Sequence, residues 1–279
     1  MHGLIFVTWE KYLAARFQGD IISRYRARLD GIIPSPLLAD RVYNDAALLA
    51  AVSAASDITH VPADTLLREY GYYFITNALT RHRCAYLLSQ TNNGLDLLLA
   101  MHDAHEQMSR LPDGLTPPLF KYRRSPHDPD ALIVVYDSER RLCSVLWGAI
   151  EGTAAYYGER VQVNEVRCMK RGHPVCEFEV KFFAIPGRSD VPQQDEQHRL
   201  SQQQFADLVL SILPKEEGMT LGELQEFLRM RGVSQQQQRP ALILQALLHL
   251  HYAGLVASTA NRPGDDFINR RYWRVPTSG

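Results

Sequence analysis

The 279-residue chain lacks several features that would narrow its function at once. No stretch is both long enough and apolar enough to span a bilayer, and residues 1–6 lack the basic flank and cleavage site of a signal peptide. The formal net charge of -1 gives no global attraction to nucleic acid or to a membrane. In a cytoplasmic protein its four cysteines are expected as thiols or metal ligands rather than disulfides. These absences predict a cytoplasmic protein with no membrane partner.

Composition divides the chain into two predicted domains. Residues 187–204 are polar, nearly free of apolar side chains and include a proline, which is typical of a linker. The total length suits a medium-sized domain followed by a compact one. We therefore predict a first domain over residues 1–186, a linker over 187–204 and a second domain over 205–276.

Hydrophobic periodicity predicts an α+β fold for the first domain. Apolar residues recur at helical spacing over residues 4–17, 45–54, 63–75 and 95–108. After residue 114 the pattern changes to short apolar runs at 119–123, 131–136, 161–166 and 175–182, with one helical segment over 142–157. A helical N-terminal half should therefore be followed by an antiparallel sheet and one further helix.

His105 lies on the apolar face of the predicted helix at residues 95–108. It follows Leu98 by seven residues and Met101 by four, so its imidazole should point inward. A neutral imidazole on a helix can be an axial ligand of iron, whereas a lone inward histidine is more often a hydrogen-bonded core residue. His102, one turn earlier, is a competing ligand.

Tyr136, Ser138 and Arg140 form a Tyr-x-Ser-x-Arg element, called the clamp below, at the end of a predicted strand. Two hydroxyls and a guanidinium fork can hold a pair of carboxylates, such as the propionates of a haem. Pro118 lies between His105 and the clamp in the sequence. This order of histidine, proline and clamp favours a haem site.

These elements resemble the haem nitric oxide/oxygen-binding (H-NOX) family, the sensor domain of soluble guanylate cyclase and its bacterial relatives. The resemblance runs from Met1 to about Phe183. It is carried by Met-His-Gly-Leu-Ile-Phe at the start, His-Glu-Gln at 105–107, Gly-Leu-Thr-Pro-Pro at 114–118 and the clamp. It implies a haem b cofactor, with His105 as the axial ligand, the clamp on the propionates and Pro118 against the porphyrin.

The resemblance also places Ile5, Trp9, Asn77 and Val145 in the haem pocket. Val145 stands where the oxygen-binding members carry a tyrosine that hydrogen-bonds bound oxygen. An apolar pocket offers oxygen no such bond, whereas nitric oxide binds ferrous haem strongly without one. The expected ligand is therefore nitric oxide, bound trans to the proximal histidine.

Three cysteines and a glutamate form a second constellation. Cys143 begins a predicted helix, and Glu165, Cys168 and Cys176 follow as Glu-x2-Cys-x7-Cys on the last two strands. Zinc takes four such ligands in a tetrahedron. The array is similar to the zinc-binding arrangement of some bacterial H-NOX proteins, in which a histidine often stands at the position of Glu165, so His173 is an alternative ligand. Buried thiols without a metal are the simpler interpretation.

The second domain resembles a winged helix-turn-helix domain over most of residues 201–276. Helical patterns over 205–213, from Thr220 and from Ser234 precede strand patterns over 256–260 and 267–275, which flank a turn-rich tip at 261–266. The residues expected to contact DNA are Gln236, Gln237 and Arg239 in the major groove and Arg270 and Arg271 on the wing.

Charge leaves the partner of the second domain open. Residues 190–279 hold nine basic and ten acidic side chains, so no excess of positive charge is available to neutralise phosphates. A DNA operator and a signalling protein such as a kinase or cyclase are both retained as partners, as is a homodimer.

The whole sequence predicts a sensor that is not an enzyme, with a haem domain for nitric oxide and a winged-helix output domain. The alternative is a 4-vinyl-reductase-like sensor of a small aromatic or hydrophobic ligand without haem, because such domains share the cysteine array. No nucleophile and base pair or glycine-rich phosphate loop favours an enzyme. Tyr72, Tyr73 and Tyr156 are retained as other residues that could supply a hydroxyl to bound oxygen in the haem pocket.

Overall fold

The computed structural model describes residues 1–110, 115–185, 193–259 and 269–276, and the side chains of residues 193–199 lie outside the description. Gly114, the linker residues 187–192 and the predicted tip at 261–266 also lie outside it. The chain divides into two compact units. Unit 1 comprises Met1–Arg81, Asn93–His102 and Pro117–Ser189, and unit 2 comprises His82–Asn92, Asp103–Thr116 and Asp190–Gly279.

Seven helices precede the first strand in the described residues. The helices are α1 (Gly3–Arg16), α2 (Ile21–Arg28), α3 (Asp45–Thr59), α4 (Ala63–Thr76), α5 (Ala78–Arg83), α6 (Ala85–Ser89), α7 (Gly94–Ser109), α8 (Cys143–Tyr157), α9 (Gln193–Ile212), α10 (Leu221–Met230) and α11 (Pro240–Tyr252). The strands are β1 (Leu119–Arg124), β2 (Leu132–Asp137), β3 (Arg160–Arg167), β4 (Cys176–Phe183), β5 (Met219–Thr220), β6 (Val256–Ser258) and β7 (Arg271–Arg274). None of these helices alone has the length and apolar character to cross a membrane, although α3 and α4, bent by 110° at their junction, pass that test as a pair.

The helical part of unit 1 has its core among α1 to α4. Side chains cap two of these helices, since His2 accepts from the Leu4 N–H and Asn44 from the Ala46 N–H. Trp9 is fully buried and meets the ring of Tyr70 edge to face at 5.3 Å between centroids. The predicted helices over 4–17, 45–54 and 63–75 therefore have the apolar face that their periodicity indicates.

The sheet of unit 1 is antiparallel, in the strand order β1-β2-β4-β3. Tyr136 on β2 lies opposite Cys176 on β4. Cys176, Phe178 and Val180 alternate along β4 and are all buried, in one core with Ile150 of α8. The predicted order of two strands, one helix and two strands is thus the order found.

Helices α4 and α8 cross at backbone contact distance. A Cβ atom added at Gly71 would lie 2.1 Å from the carbonyl oxygen of Val145, and one added at Gly148 would lie 1.8 Å from that of Arg68. Only glycine permits such an approach, because any side chain would overlap the opposing backbone. The crossing fixes the start of α8, and with it Cys143, against α4.

Unit 2 contains three helices and a small antiparallel sheet in its C-terminal part. The chain runs α9, β5, α10, α11, β6 and β7, and the sheet order is β5-β7-β6. Thr220 and Glu223 form a capping box at the start of α10, as their spacing predicts. The fully buried side chains of Val209, Leu224 and Ile243 join α9, α10 and α11 in one core.

Two boundaries of this part differ from the prediction. Residues 193–204 of the predicted linker are helical, because glutamine, glutamate and arginine are polar but good helix formers. The third helix begins at Pro240 rather than Ser234, because proline is favoured at the first helical position. Arg239 is its N-cap residue. The glutamine run therefore forms a turn, in which the Gln238 amide donates to Val233 O at 2.6 Å.

Candidate functional site

The clamp residues lie at the end of β2 and in the turn that leads to α8. The Tyr136 phenol is buried and accepts a hydrogen bond from the Leu142 N–H at 3.2 Å. Burial raises the pKa of Tyr136 to about 12, so the phenol keeps its proton at neutral pH. A phenol whose oxygen accepts a bond still has its own O–H to donate, and a carboxylate is a suitable acceptor.

Arg140 completes the clamp from a nearly buried position. Its Nε atom lies 2.6 Å from Asp45, whose other carboxylate oxygen lies 2.8 Å from the Met1 ammonium. Partial burial alone would raise the pKa of Asp45, but the hydrogen bonds from Met1 and Arg140 outweigh it and lower that pKa. Asp45 thus holds the Arg140 guanidinium in place. This donor set suits the carboxylates of a haem.

The predicted pocket residues are distributed over the helical core. Ile5 and Val145 are half-buried and pack against it, and Trp9 is inside it. Asn77 is committed to capping, since its amide nitrogen donates to Tyr73 O, Phe74 O and Thr80 Oγ1 and its oxygen accepts from Thr80 N–H. Pro118 is half-buried just before β1.

Tyr70 is a buried hydroxyl in this core that the sequence analysis did not single out. Its O–H donates to Ile5 O at 2.9 Å, and its oxygen lies 2.9 Å from the hydroxyl of Thr8. The Tyr70 phenol therefore has its proton already bonded to the backbone. Tyr72 and Tyr73, the alternatives from sequence, line a surface groove instead.

The two candidate axial histidines belong to different units. His102 lies in unit 1, where its Nδ1–H donates to Phe120 O at 2.9 Å and its ring meets Tyr122 edge to face. His105 lies in unit 2 and is half-buried on α7. The hydrogen bond to β1 gives His102 a structural role within unit 1.

Cys143, Cys168 and Cys176 come together as a cluster of three buried thiols. The sulfur of Cys168 lies 3.8 Å from that of Cys143 and 3.9 Å from that of Cys176. A tetrahedral zinc ion with Zn–S bonds of about 2.3 Å requires sulfurs about 3.8 Å apart. Burial raises the pKa of Cys143 to about 12 and also raises that of Cys176. The cluster therefore has the spacing of a zinc site, and a cation would be needed to hold it as thiolates.

The fourth predicted ligand is not part of this cluster. Among the described residues, the group that lies within 4.8 Å contains the three cysteines alone. The carboxylate of Glu165 instead pairs with Arg171, at 2.8 Å. His173, the alternative, is exposed in the turn before β4. A backbone donor that the spacing could not indicate does reach the cluster, since the Met169 N–H lies 3.2 Å from the Cys176 sulfur.

A groove of about 930 Å³ opens beside the thiols in unit 1. Cys143, Cys168 and Glu165 line it, together with Trp147, whose ring lies 4.4 Å from the Arg68 guanidinium carbon. Its other charges are paired, as in Arg68 with Glu151, Arg16 with Glu69 and Lys170 with Asp64. No sequence signal predicted this groove, because its walls come from distant segments.

The residues expected to contact DNA divide into two groups. Gln236 and Arg239 are exposed and Gln237 is half-buried, in or next to the turn before α11. Arg270 is only 6% exposed, and Arg271 donates to the carbonyls of Glu217 and Gly218, each at 2.8 Å. These contacts hold the two arginines against the protein, which does not favour the phosphate contacts expected of them.

Comparison with known proteins agrees with this architecture. The model of the Haem-NO-binding family (HNOB) matches residues 2–165. Similar solved structures include the S. oneidensis H-NOX protein in the Fe(II)NO state, which is 20% identical, with coverage of 66% of this chain and 100% of that one and a TM-score of 0.57. A variant of the T. tengcongensis H-NOX protein is 22% identical (coverage 65% and 97%, TM-score 0.57), and the Fe(II) unliganded K. algicida H-NOX protein is 15% identical (67% and 98%, 0.55). These likenesses show the fold, and no curated protein matches the chain.

Proposed function

Because the chain belongs to the haem-NO-binding family, we propose that residues 1–186 are a haem-based sensor of nitric oxide and residues 205–276 its winged-helix output domain. Family membership implies haem-based gas sensing, and H-NOX sensor domains are not themselves enzymes. The observation that carries the proposal is the clamp segment, which runs from Tyr136 on β2 into the next turn, where Arg140 pairs with Asp45.

His105 and the clamp would hold the haem. The imidazole of His105 would be the ligand of the iron, and Tyr136, Ser138 and Arg140 would donate to the propionates. Pro118, Ile5, Trp9, Asn77 and Val145 line the haem pocket in this proposal. Haem, when bound, would supply a ferrous iron that can bind a diatomic gas.

The polarity of the helical core supports nitric oxide as the ligand. Val145 has no hydrogen-bond donor, and the Tyr70 proton is bonded to Ile5 O. Oxygen binding gains from a donor near the gas, whereas nitric oxide does not need one. Val145 therefore favours nitric oxide over oxygen, and the buried indole N–H of Trp9, which has no acceptor among the described residues, is the other donor in this core.

The three-thiol cluster is a structural zinc site in this proposal. The sulfur spacing of 3.8 and 3.9 Å supports it, and Cys143, Cys168 and Cys176 provide three ligands. Glu165, which pairs with Arg171, would be the fourth ligand, and His173 is the alternative.

The output domain has two candidate partners. The order α9, β5, α10, α11, β6, β7 with the sheet β5-β7-β6 supports a winged helix. Exposure of Gln236 and Arg239 supports contact with a DNA operator, with Gln237 beside them. A signalling protein or a second copy of the chain is the other candidate, favoured by the lack of excess positive charge.

Ultraviolet-visible spectroscopy tests the haem proposal. The protein is purified without oxygen, reconstituted with haem and reduced, and spectra are recorded alone, with air and with nitric oxide. We expect a Soret band of five-coordinate ferrous haem that nitric oxide shifts and air does not. His105→Gly should remove the haem unless imidazole is added, whereas His102→Gly should retain it. A wild type that takes up no haem would refute the proposal and leave the sensor of aromatic ligands.

A further inference from the structure

Two segments of the predicted sensor domain belong to the same compact unit as the C-terminal residues. They are His82–Asn92 and Asp103–Thr116, and the second carries His105. The first is anchored by Tyr86, whose buried ring joins the core of α9 to α11. Its phenol donates to the Asp207 carboxylate at 2.6 Å. The C-terminal fold is therefore built around pieces of the sensor sequence.

The second segment meets the turn between α11 and β6 at backbone distance. Gly254 in that turn has φ of +74°, and a Cβ added there would lie 2.6 Å from Gln107 Cβ and 3.0 Å from Ala104 O. Such a distance leaves no room for a side chain on the turn. Glycine at this position thus allows the end of α7 to touch the C-terminal fold.

Further contacts extend this junction to the β6–β7 hairpin. Met108 packs against Ala257 of β6 and Val275, which follows β7. The Arg110 guanidinium donates to Pro276 O at 3.4 Å. Ala104, Gln107 and Met108 are spaced by three and four residues, so they form one face of α7. That face, called the α7 face below, lies on the turn and the hairpin.

The α7 face is not bound as an ordinary core. The side-chain oxygen of Gln107 is buried and accepts no hydrogen bond from the described residues. An unmet acceptor lowers the stability of the bound arrangement, because the oxygen would be hydrated if the face separated. The free energy of the contact is therefore less favourable than its packing alone would give. This favours a contact that can open and close.

We propose that the α7 face is the contact through which His105 controls the C-terminal domain, an inference that rests on the proposed axial role of His105. His105 follows Ala104 directly, so a rotation or shift of this turn of α7 moves Ala104 and Gln107 against Gly254. The C-terminal domain responds because the turn joins α11 to β6. The state of His105 and the state of the turn at Gly254 then depend on one equilibrium, in which the α7 face is either bound or released.

Amide hydrogen exchange on the full-length protein tests the contact itself, before any gas is added. Gly254→Ala should speed exchange in residues 103–110 by about tenfold, which corresponds to about 1.4 kcal/mol. Gly232→Ala is the matched control, since Gly232 has a similar φ of +70° in the same unit but nothing within 4 Å of its added Cβ. Equal exchange in the two variants would overturn the proposal.

A second variant covers the case in which Gly254→Ala does not fold. Gln107→Leu removes the unmet acceptor at similar volume and should slow exchange in residues 103–110 and 253–259 by about tenfold. Exchange that is unchanged or faster in Gln107→Leu would overturn the proposal.

The gas-dependent part is tested on the ferrous, haem-loaded wild type. Nitric oxide should alter exchange in residues 253–259, and Gly254→Ala should lose this response while keeping the shift of the Soret band. A Soret shift without any response at residues 253–259 in the wild type would overturn the proposed coupling. Absence of a Soret band would instead refute the haem function, and the gas-free comparison would still decide whether the α7 face is bound.

Discussion

Replacement of Gly148 by alanine should disrupt the crossing of α4 and α8. The new methyl group would lie 1.8 Å from Arg68 O, 2.7 Å from Arg68 C and 2.9 Å from Tyr72 N. All three are backbone atoms, so no side-chain rotation relieves the overlap. Ordinary contact begins near 3.4 Å, so the helices must separate locally by about 1.6 Å, the difference between 3.4 and 1.8 Å.

The magnitude follows from two opposing effects. Overpacking of this kind costs about 3 kcal/mol, the upper part of the usual range, because both partners are main chain. Alanine offsets about 1 kcal/mol of this cost, because it is a better helix former than glycine. The free energy of unfolding of unit 1 should therefore fall by about 2 kcal/mol.

Urea unfolding followed by tryptophan fluorescence measures this change. In a Trp273→Phe background the signal comes from Trp9 and Trp147, both in unit 1. Gly222→Ala is the control, because Gly222 is also helical but nothing lies within 4 Å of its added Cβ. It should leave the transition of unit 1 unchanged. A Gly148→Ala transition within about 0.5 kcal/mol of the background at equal m-value would refute the close crossing.

Three further predictions concern the clamp, the thiols and a buried histidine. Arg140→Leu should speed haem loss to apomyoglobin at least about tenfold through the lost charge-assisted bonds, whereas the exposed Arg124→Leu should not; equal rates would contradict the clamp. Cys168→Ser should weaken zinc binding by more than about 100-fold in competition with a chromophoric chelator, and Cys84→Ser, outside the cluster, should not, so equal affinities would exclude the site. Burial lowers the pKa of His249 from 6.5 to about 4, so the unfolded chain takes up a proton first as pH falls. The free energy of unfolding of unit 2 should therefore fall by roughly 2–3 kcal/mol between pH 6.5 and pH 4. His249→Leu should flatten this dependence in urea titrations at each pH, and an unchanged slope would assign it to other groups.

Periodicity was sufficient to predict α1, α3, α4, α8 and the four strands of unit 1 because each has a buried face, but it did not predict the short helix α2, in which only Ile21 and Tyr25 are buried. The alternation of Cys176, Phe178 and Val180 in the sequence predicts a strand with one buried face. All three side chains are buried on β4. Composition misled at residues 193–204, where polar residues of high helix propensity extend α9. Pro240 indicates where α11 begins. Ser234, a residue type that often caps helices, predicted a start that was too early.

The candidate site was predictable where spacing along one segment decides it. The clamp lies within five residues, and the three cysteines meet because β3 and β4 are adjacent and α8 covers them. The partners that come from elsewhere were not predictable. Asp45 reaches Arg140 from α3, and Gly254 reaches Gln107 from the C-terminal part, contacts that no local pattern records.

The groove beside the thiols has a kinetic consequence for any ion they hold. Cys176 is fully buried, but Cys143 and Cys168 line a groove of about 930 Å³ that opens to solvent. An ion could be approached by a competing ligand from the groove side without unfolding of the sheet. Its occupancy should then follow the free metal concentration around the protein instead of being set once, when the chain folds.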